Sequence, residues 1–166
     1  MPHVELSLIE DPSRFGDDRV ATRVPRARAP QEPPTVAHVG SLDRWASVVI
    51  GAAEPSLVLA ADSTIIAASA SCAEMIGLGD PEIARGRRLR DAGVRLVDFT
   101  TSLDELDPNE ADKIPPLLAI SSRRLARGLM RVACPETKAA CTMDAIATPL
   151  WDGATVVGSL TFFSEI

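Results

Sequence analysis

The chain has only two histidines, His3 and His38, and both lie near the N-terminus. From residue 39 onward, therefore, neither a Ser–His nor a Cys–His nucleophile can be assembled. Phosphate-cradling glycine motifs and metal-ligand spacings of cysteine and histidine are missing as well. Carboxylates such as Asp98 and Asp144 could do acid–base work, yet nothing in the pattern gathers them. These absences argue against an enzyme. Three cysteines, an odd number, do not make a secreted disulfide framework. No run of about 18 apolar residues occurs, so no membrane-spanning helix is expected. The opening MPHVELSLIEDPSRF lacks the basic-then-apolar layout of a secretion signal, and the expected location is cytoplasmic. Lysine is scarce, two against fifteen arginines, which with abundant alanine suggests a GC-rich bacterial genome. Basic residues are in deficit overall, 17 against 23 acidic with a net charge of −6, so direct nucleic-acid binding is not expected.

What remains is ordinary for a globular protein: 46% apolar and 24% charged residues. A domain of about 125 residues buries roughly 65–70% of its unfolded surface, enough for its own core. Residues 1–40 form an N-terminal extension that reads as partly disordered linker, with prolines at 25, 30, 33 and 34 and no apolar period. Within it, VELSLI at 4–9 alternates and could dock as a strand. Arg23, Arg26 and Arg28 read as part of a solvated tail, since five basic residues there face six acidic ones.

From residue 41 to 166 the pattern is that of a folded domain. SLDRWASVVIGAAE places Leu42, Trp45, Val48, Val49 and Ala52 on one helical face, capped by Ser41 or Asp43. A hairpin follows, with strands at 56–61 and 64–68 about a turn at 62–63. Ser71-Cys-Ala-Glu74 fits a capping box for a helix that stops at Gly77, and Asp80-Pro81 opens another short helix. Residues 86–110 are loop-like around the apolar island VRLVDF. ADKIPPLLAISSRRLARG reads as a longer helix that Pro115 and Pro116 open or kink and Gly128 ends.

Three strands are expected after it, at 129–134, 140–149 and 154–163. Asp152-Gly153 between apolar runs signals a type I′ hairpin, which would set Ala145 against Leu160 and Met143 against Phe162. Setting Cys134 against Cys141 registers the other hairpin. Met130, Val132, Cys141, Met143, Ala145, Leu160 and Phe162 then share the buried face of an antiparallel sheet, with Arg131, Thr142, Asp144, Thr148, Ser159 and Thr161 opposite.

This order of elements resembles the PAS domain, as do the motif residues. Asp62, Ile65, Ala73, Met75, Ile76 and Gly77 fall where that family's first hairpin and helix carry Asp, Ile, small, apolar and Gly. Ser63 stands where a turn Gly is common and Ser69 where Asn is common, and serine can still cap a helix. ATPLWDGATVVGSLTFF is similar to the family's closing hairpin. The resemblance spans about 41–165. It implies an α+β fold: a five-stranded antiparallel sheet with short helices on one face, after an amphipathic helix and a largely irregular N-terminal extension.

For function, the resemblance implies a signalling module that acts in trans, because the chain stops at the last strand with no output segment. Homodimerisation would use the leading helix 42–53, with Trp45 as anchor and the outer sheet face adding contact, and a regulatory protein would be the further partner. The inward residues of the three strands are the candidate pocket. Family members that bind haem usually ligate it through a His on the long helix, and residues 111–128 contain none. Photosensory flavin members need a Gly-Arg-Asn-Cys-type motif, where this chain reads GRRLRDAG. No cofactor is therefore predicted. The alternative function is a sensor of haem, a small apolar metabolite or oxidant, using the pocket or the Cys134/Cys141 pair. Against it, all three cysteines would simply be small buried hydrophobes. Arg85, Arg87, Arg88, Arg90 and Arg95 could hold an anionic ligand or a phosphorylated partner, or form a solvated loop paired with the acidic stretch 104–112.

Overall fold

The computed structural model describes residues 40–100, 102–133 and 139–166. The N-terminal extension, including 4–9 and its arginines, lies outside them, as does Cys134. The described chain runs α1 (Ser41–Ile50), β1 (Ser56–Ala60), β2 (Ile65–Ala68), α2 (Ala70–Ile76), α3 (Pro81–Ala84), a 3-10 turn (Leu89–Ala92), α4 (Pro108–Ala111), α5 (Pro115–Ser122), β3 (Ala126–Ala133), β4 (Ala140–Asp152) and β5 (Thr155–Glu165). The five strands form one sheet in the order β2-β1-β5-β4-β3, and every neighbouring pair is antiparallel.

The central strand β5 is buried on both faces from Gly158 to Thr161. On the inner face, Leu57, Leu59, Met130, Val132, Met143, Ala145 and Phe163 pack against Ile76, Leu78, Leu89 and Ile114 of the helical layer. On the outer face, Ala46 and Val49 of α1 pack with Val58, Ala67, Leu150 and Leu160. Each edge of the sheet is covered along part of its length. Residues 86–89 run along β2, with Ile65 N–H donating to the Arg87 carbonyl at 2.9 Å and Leu89 N–H to that of Ser63 at 3.0 Å. Residues 95–97 run along β3, with Ala133 N–H donating to the Arg95 carbonyl at 2.9 Å. Where the edges are covered they offer no template for another strand.

Local signals explain several ends. The α2 cap is Ser69, as the resemblance implied, and not Ser71. Its Oγ accepts from Cys72 N–H at 3.2 Å and Ser56 N–H at 3.0 Å and donates to the Glu54 carbonyl, which ties β1 to α2. Ser71 instead donates to the Ala53 carbonyl, so the capping box does not form. Gly77 ends α2 at a φ of 72°, and Asp80 caps α3 with Pro81 in its first turn. Gly40, rather than Ser41 or Asp43, occupies the α1 N-cap. Pro115 and Pro116 open α5. The expected long helix stops at Ser122, where Ser122 Oγ turns back to the Leu118 carbonyl at 2.6 Å and Arg123 turns left-handed at φ 57°. β3 therefore begins at Ala126, and Gly128 sits inside it against Pro115 rather than ending a helix.

Ser63 occupies the β1–β2 turn at φ 68°, and Asp62 Oδ1 accepts from Thr64 N–H at 3.1 Å. A left-handed L-residue costs about 1–2 kcal/mol. Ser63→Gly is accordingly expected to raise the melting midpoint by about 3 °C, once the greater unfolded-state freedom of glycine is subtracted. An unchanged or lower midpoint in thermal denaturation would contradict that strain.

The two C-terminal hairpins depart from their expected registers in different ways. In β3–β4, Val132 lies opposite Cys141 and Met130 opposite Met143, a displacement of two residues. An even displacement leaves every side chain on its face. In β4–β5 the turn residues are Gly153 and Ala154, Asp152 pairs with Thr155, and a bulge falls between Leu150 and Trp151. Only Gly153, at φ 57°, is left-handed, the demand of a turn with glycine in its first central position. Beyond the bulge the displacement is three residues, so Ala145 faces Phe163 and Ala147 faces Thr161. An odd displacement exchanges the faces. Phe163 is 5% exposed and Phe162 45%, the reverse of the expected arrangement.

Candidate functional site

The inner-face residues Met130, Val132, Met143 and Ala145 are buried in the layer between sheet and helices, and Cys141 is half-buried at its margin. Leu160 and Phe162 are not among them. Leu160 is buried on the outer face under α1, and Phe162 points outward opposite Ile146. The odd register moved both. Phe163, Thr161 and Ser159 take the inner positions instead. Ser159 Oγ donates to the Pro116 carbonyl at 2.9 Å, which ties α5 to the central strand. Thr161 Oγ1 is buried with no hydrogen-bond partner among the described residues.

This interior is filled by its own side chains. Leu57, Leu59, Ile65, Ile76, Met143 and Val132 are each less than 2% exposed. At its edge a crevice of about 100 Å³ opens between Val94, Leu96, Leu106 and Ala111. Ligand pockets run to roughly 300–1,000 Å³, so a haem or flavin would have to displace several of these side chains.

A larger cleft, about 580 Å³, lies outside the core. The β1–β2 turn (Ala61, Asp62, Ser63), Arg88, Arg90 and Asp91, Asp112, and the α5 residues Leu117, Ile120 and Ser121 line it. Arg90 is committed there, to the Asp112 carboxylate at 2.5 Å and the Pro108 carbonyl at 2.8 Å. That pair is one strand of the expected link between the arginines and the acidic stretch 104–112. Hydrogen bonds from Thr64 hold the Asp62 carboxyl below its usual range, with a smaller contribution from the charge of Arg88.

The thiols separate. Cys72 is buried in the core, where loss of solvent pushes its pKa up to about 12 and leaves it unreactive near neutrality. Cys141 has Val132, not Cys134, as its cross-strand neighbour, and its Sγ lies 3.9 Å from Glu165 Oε1. The isolated carboxylates are also spent. Asp144 is forked by Arg127 at 2.6 and 3.0 Å, which lowers its pKa, and Asp98 accepts from Thr100 Oγ1 at 2.7 Å. Among the described residues no three His, Cys, Asp or Glu side chains converge to hold a metal ion. None of the described helices is long and apolar enough to cross a membrane.

The residues expected on one face of the leading helix are divided. Val49 is buried against the chain's own sheet and Leu42 packs beside it, while Trp45 is 36% exposed and Val48 56%. Ala52 falls after the helix, which ends at Ile50. Sequence reasoning did not find the outward apolar residues of the sheet, Leu129, Ile146 and Phe162. Their signal is an apolar residue on a strand position otherwise lined by Arg127, Asp144 and Thr148, legible only once the register is known.

No protein-family model matches this sequence, and no curated protein resembles it closely enough to be matched. Solved structures do resemble it. The PAS domain of a protein from Colwellia psychrerythraea superposes with a TM-score of 0.52 at 15% identity, over 75% of this chain and 96% of that one. A light-oxygen-voltage domain studied with a flavin analogue gives 0.53 at 15% identity, over 76% and 88%. The Vibrio cholerae VqmA–ligand–DNA complex gives 0.52 at 16% identity, over 74% of this chain but only 50% of VqmA. These superpositions, each over about three quarters of this chain, show its fold: the chain has the PAS-domain fold.

Proposed function

We propose that the chain is a non-catalytic sensory and signalling module. In this reading it takes a small-molecule signal on the helical side of its sheet. It passes the signal on through the outer face, by pairing with a second copy and with a regulatory protein in trans, in a cytoplasmic setting. The observation that carries the reading is the half-covered outer face. Helix α1 covers Val58, Leu150 and Leu160, but Ile146 and Phe162, which are direct cross-strand partners, and Leu129 stand in water. Exposed apolar groups gathered on one face mark interaction surfaces. Trp45 and Val48 on the outward side of α1 would extend it, and large aromatics are the usual anchors of such contacts. The sensing half is supported by the company the fold keeps: a flavin-analogue light-oxygen-voltage domain and a VqmA complex with its ligand.

The test is the mass of the full chain in light scattering across a dilution series, with native mass spectrometry for copurified molecules. The expected result is a dimer that Phe162→Asp or Trp45→Asp weakens by roughly 30-fold or more, the effect of losing an interface anchor. A monomer at every concentration would overturn the pairing. A dimer indifferent to both substitutions would place its contact elsewhere.

A further inference from the structure

We infer that the cleft between the β1–β2 turn, the 3-10 turn and α5 binds a small zwitterion with an apolar portion, of the amino-acid class. The inference rests on the sensory reading and gives it a location, since the interior is already filled by Leu57, Leu59, Ile65 and Met143. The volume of about 580 Å³ lies within the range of ligand sites.

The charges lining the cleft decide the class. Of its two guanidiniums, that of Arg90 is held by Asp112 and the Pro108 carbonyl, while Arg88 has no ion pair among the described residues. The backbone of Arg88 is nevertheless fixed, bridged antiparallel to Thr64 and bracketed by the bonds of Arg87 and Leu89 to β2 and its turn. Of the three carboxylates, Asp112 is the one paired with Arg90. The Asp91 carboxylate has no partner among the described residues, its backbone carbonyl alone accepting from Arg87. The Asp62 carboxylate accepts from Thr64 N–H at 3.1 Å and has no ion pair among the described residues. Leu117 and Ile120 supply the half-buried apolar part of the lining.

A simple anion would meet three carboxylates here, and a simple cation would meet the Arg88 guanidinium. A hydrocarbon would strip water from both without replacing it. A molecule with separated opposite charges satisfies both sides. Its carboxylate can take the fork of Arg88 and its ammonium the carboxylates of Asp91 and Asp62, with its side chain on α5.

The experiment is a titration of the ¹⁵N-labelled full chain with L-leucine, followed by amide chemical shifts. Saturable shifts are expected within residues 61–63, 88–91 and 117–121. 4-Methylpentanoate, which lacks the ammonium, and leucinol, which lacks the carboxylate, should each bind roughly tenfold more weakly, about one lost charged contact. Arg88→Gln should weaken leucine to a similar degree, while Arg85→Gln, outside the cleft, should not. Should Arg88→Gln lower the melting midpoint, the analogue series on the unaltered protein decides alone. The inference is overturned if millimolar leucine produces no saturable shift, or if the two single-charge analogues bind as well as leucine. Shifts centred on Val132 and Met143 would also overturn it, by moving the ligand inside, and would leave the sensory reading intact. The pairing measured by light scattering is an independent quantity.

Discussion

Gly158→Ala is expected to destabilise the full chain by about 3 kcal/mol, at the upper end of overpacking costs, with a corresponding fall in the urea midpoint. A Cβ at this position would sit 2.0 Å from the Leu59 carbonyl oxygen and 2.7 Å from Leu42 Cδ2. The first neighbour is backbone of β1, directly across the central ladder, where Ala60 pairs with Gly158. The second is the side chain that begins the docking of α1 on the outer face. Leu42 can swing aside, but the carbonyl can move only with its strand. Truncating Leu42 to alanine in the same protein should therefore fail to restore stability. A Gly158→Ala protein within about 0.5 kcal/mol of the original, as for an ordinary surface change, would show that β1 and β5 approach less closely than described.

The second large effect separates two adjacent phenylalanines. Phe163 packs in the inner core, and Phe163→Ala should cost about 3–5 kcal/mol. Phe162 stands on the outer face, and Phe162→Ala should cost less than about 1 kcal/mol when measured at a dilution where the chain is monomeric. Denaturant unfolding of the two variants gives the comparison directly. The reverse ranking would restore the register expected from the Asp152-Gly153 turn, and with it Leu160 and Phe162 to the interior. The outer-face interaction surface would then lose its central residue.

The contrast between the two C-terminal hairpins shows how far a pattern of apolar residues reaches. Alternation in β3 and β4 identified Met130, Val132, Met143 and Ala145 as one face, and the face survived an error of two residues because the pleat repeats every two. In β5 the run LTFF offers an apolar residue to each side, so the pattern carried no information about which phenylalanine turned inward. The outcome rested on a single turn residue and a bulge. Nothing in the local chemistry of Leu150 and Trp151 demands the bulge that falls between them.

The helical layer divides similarly. Asp80-Pro81 and Gly77 set their helix ends by capping geometry, a matter of a few neighbouring atoms, and both fell where expected. Ser69 or Ser71 could each have capped α2. The choice fell to Ser69 because its hydroxyl also closes bonds to Ser56 and Glu54, more than ten residues away. The cleft was out of reach for the same reason. Asp62, Arg88, Asp112 and Ile120 come from four separate segments, and only the packing of α5 and the 3-10 turn against the hairpin makes them walls of one space.

By itself, then, the sequence determined the order of the strands and the main helices, the helix ends at Gly77 and Asp80-Pro81, and the absence of histidine beyond residue 38. These depend on bonds between residues close along the chain. Tertiary structure alone decided which phenylalanine is inside, which side of α1 stays in water and which charges share the cleft. Those outcomes depend on how strands slide past one another and on what distant segments bring to the same place.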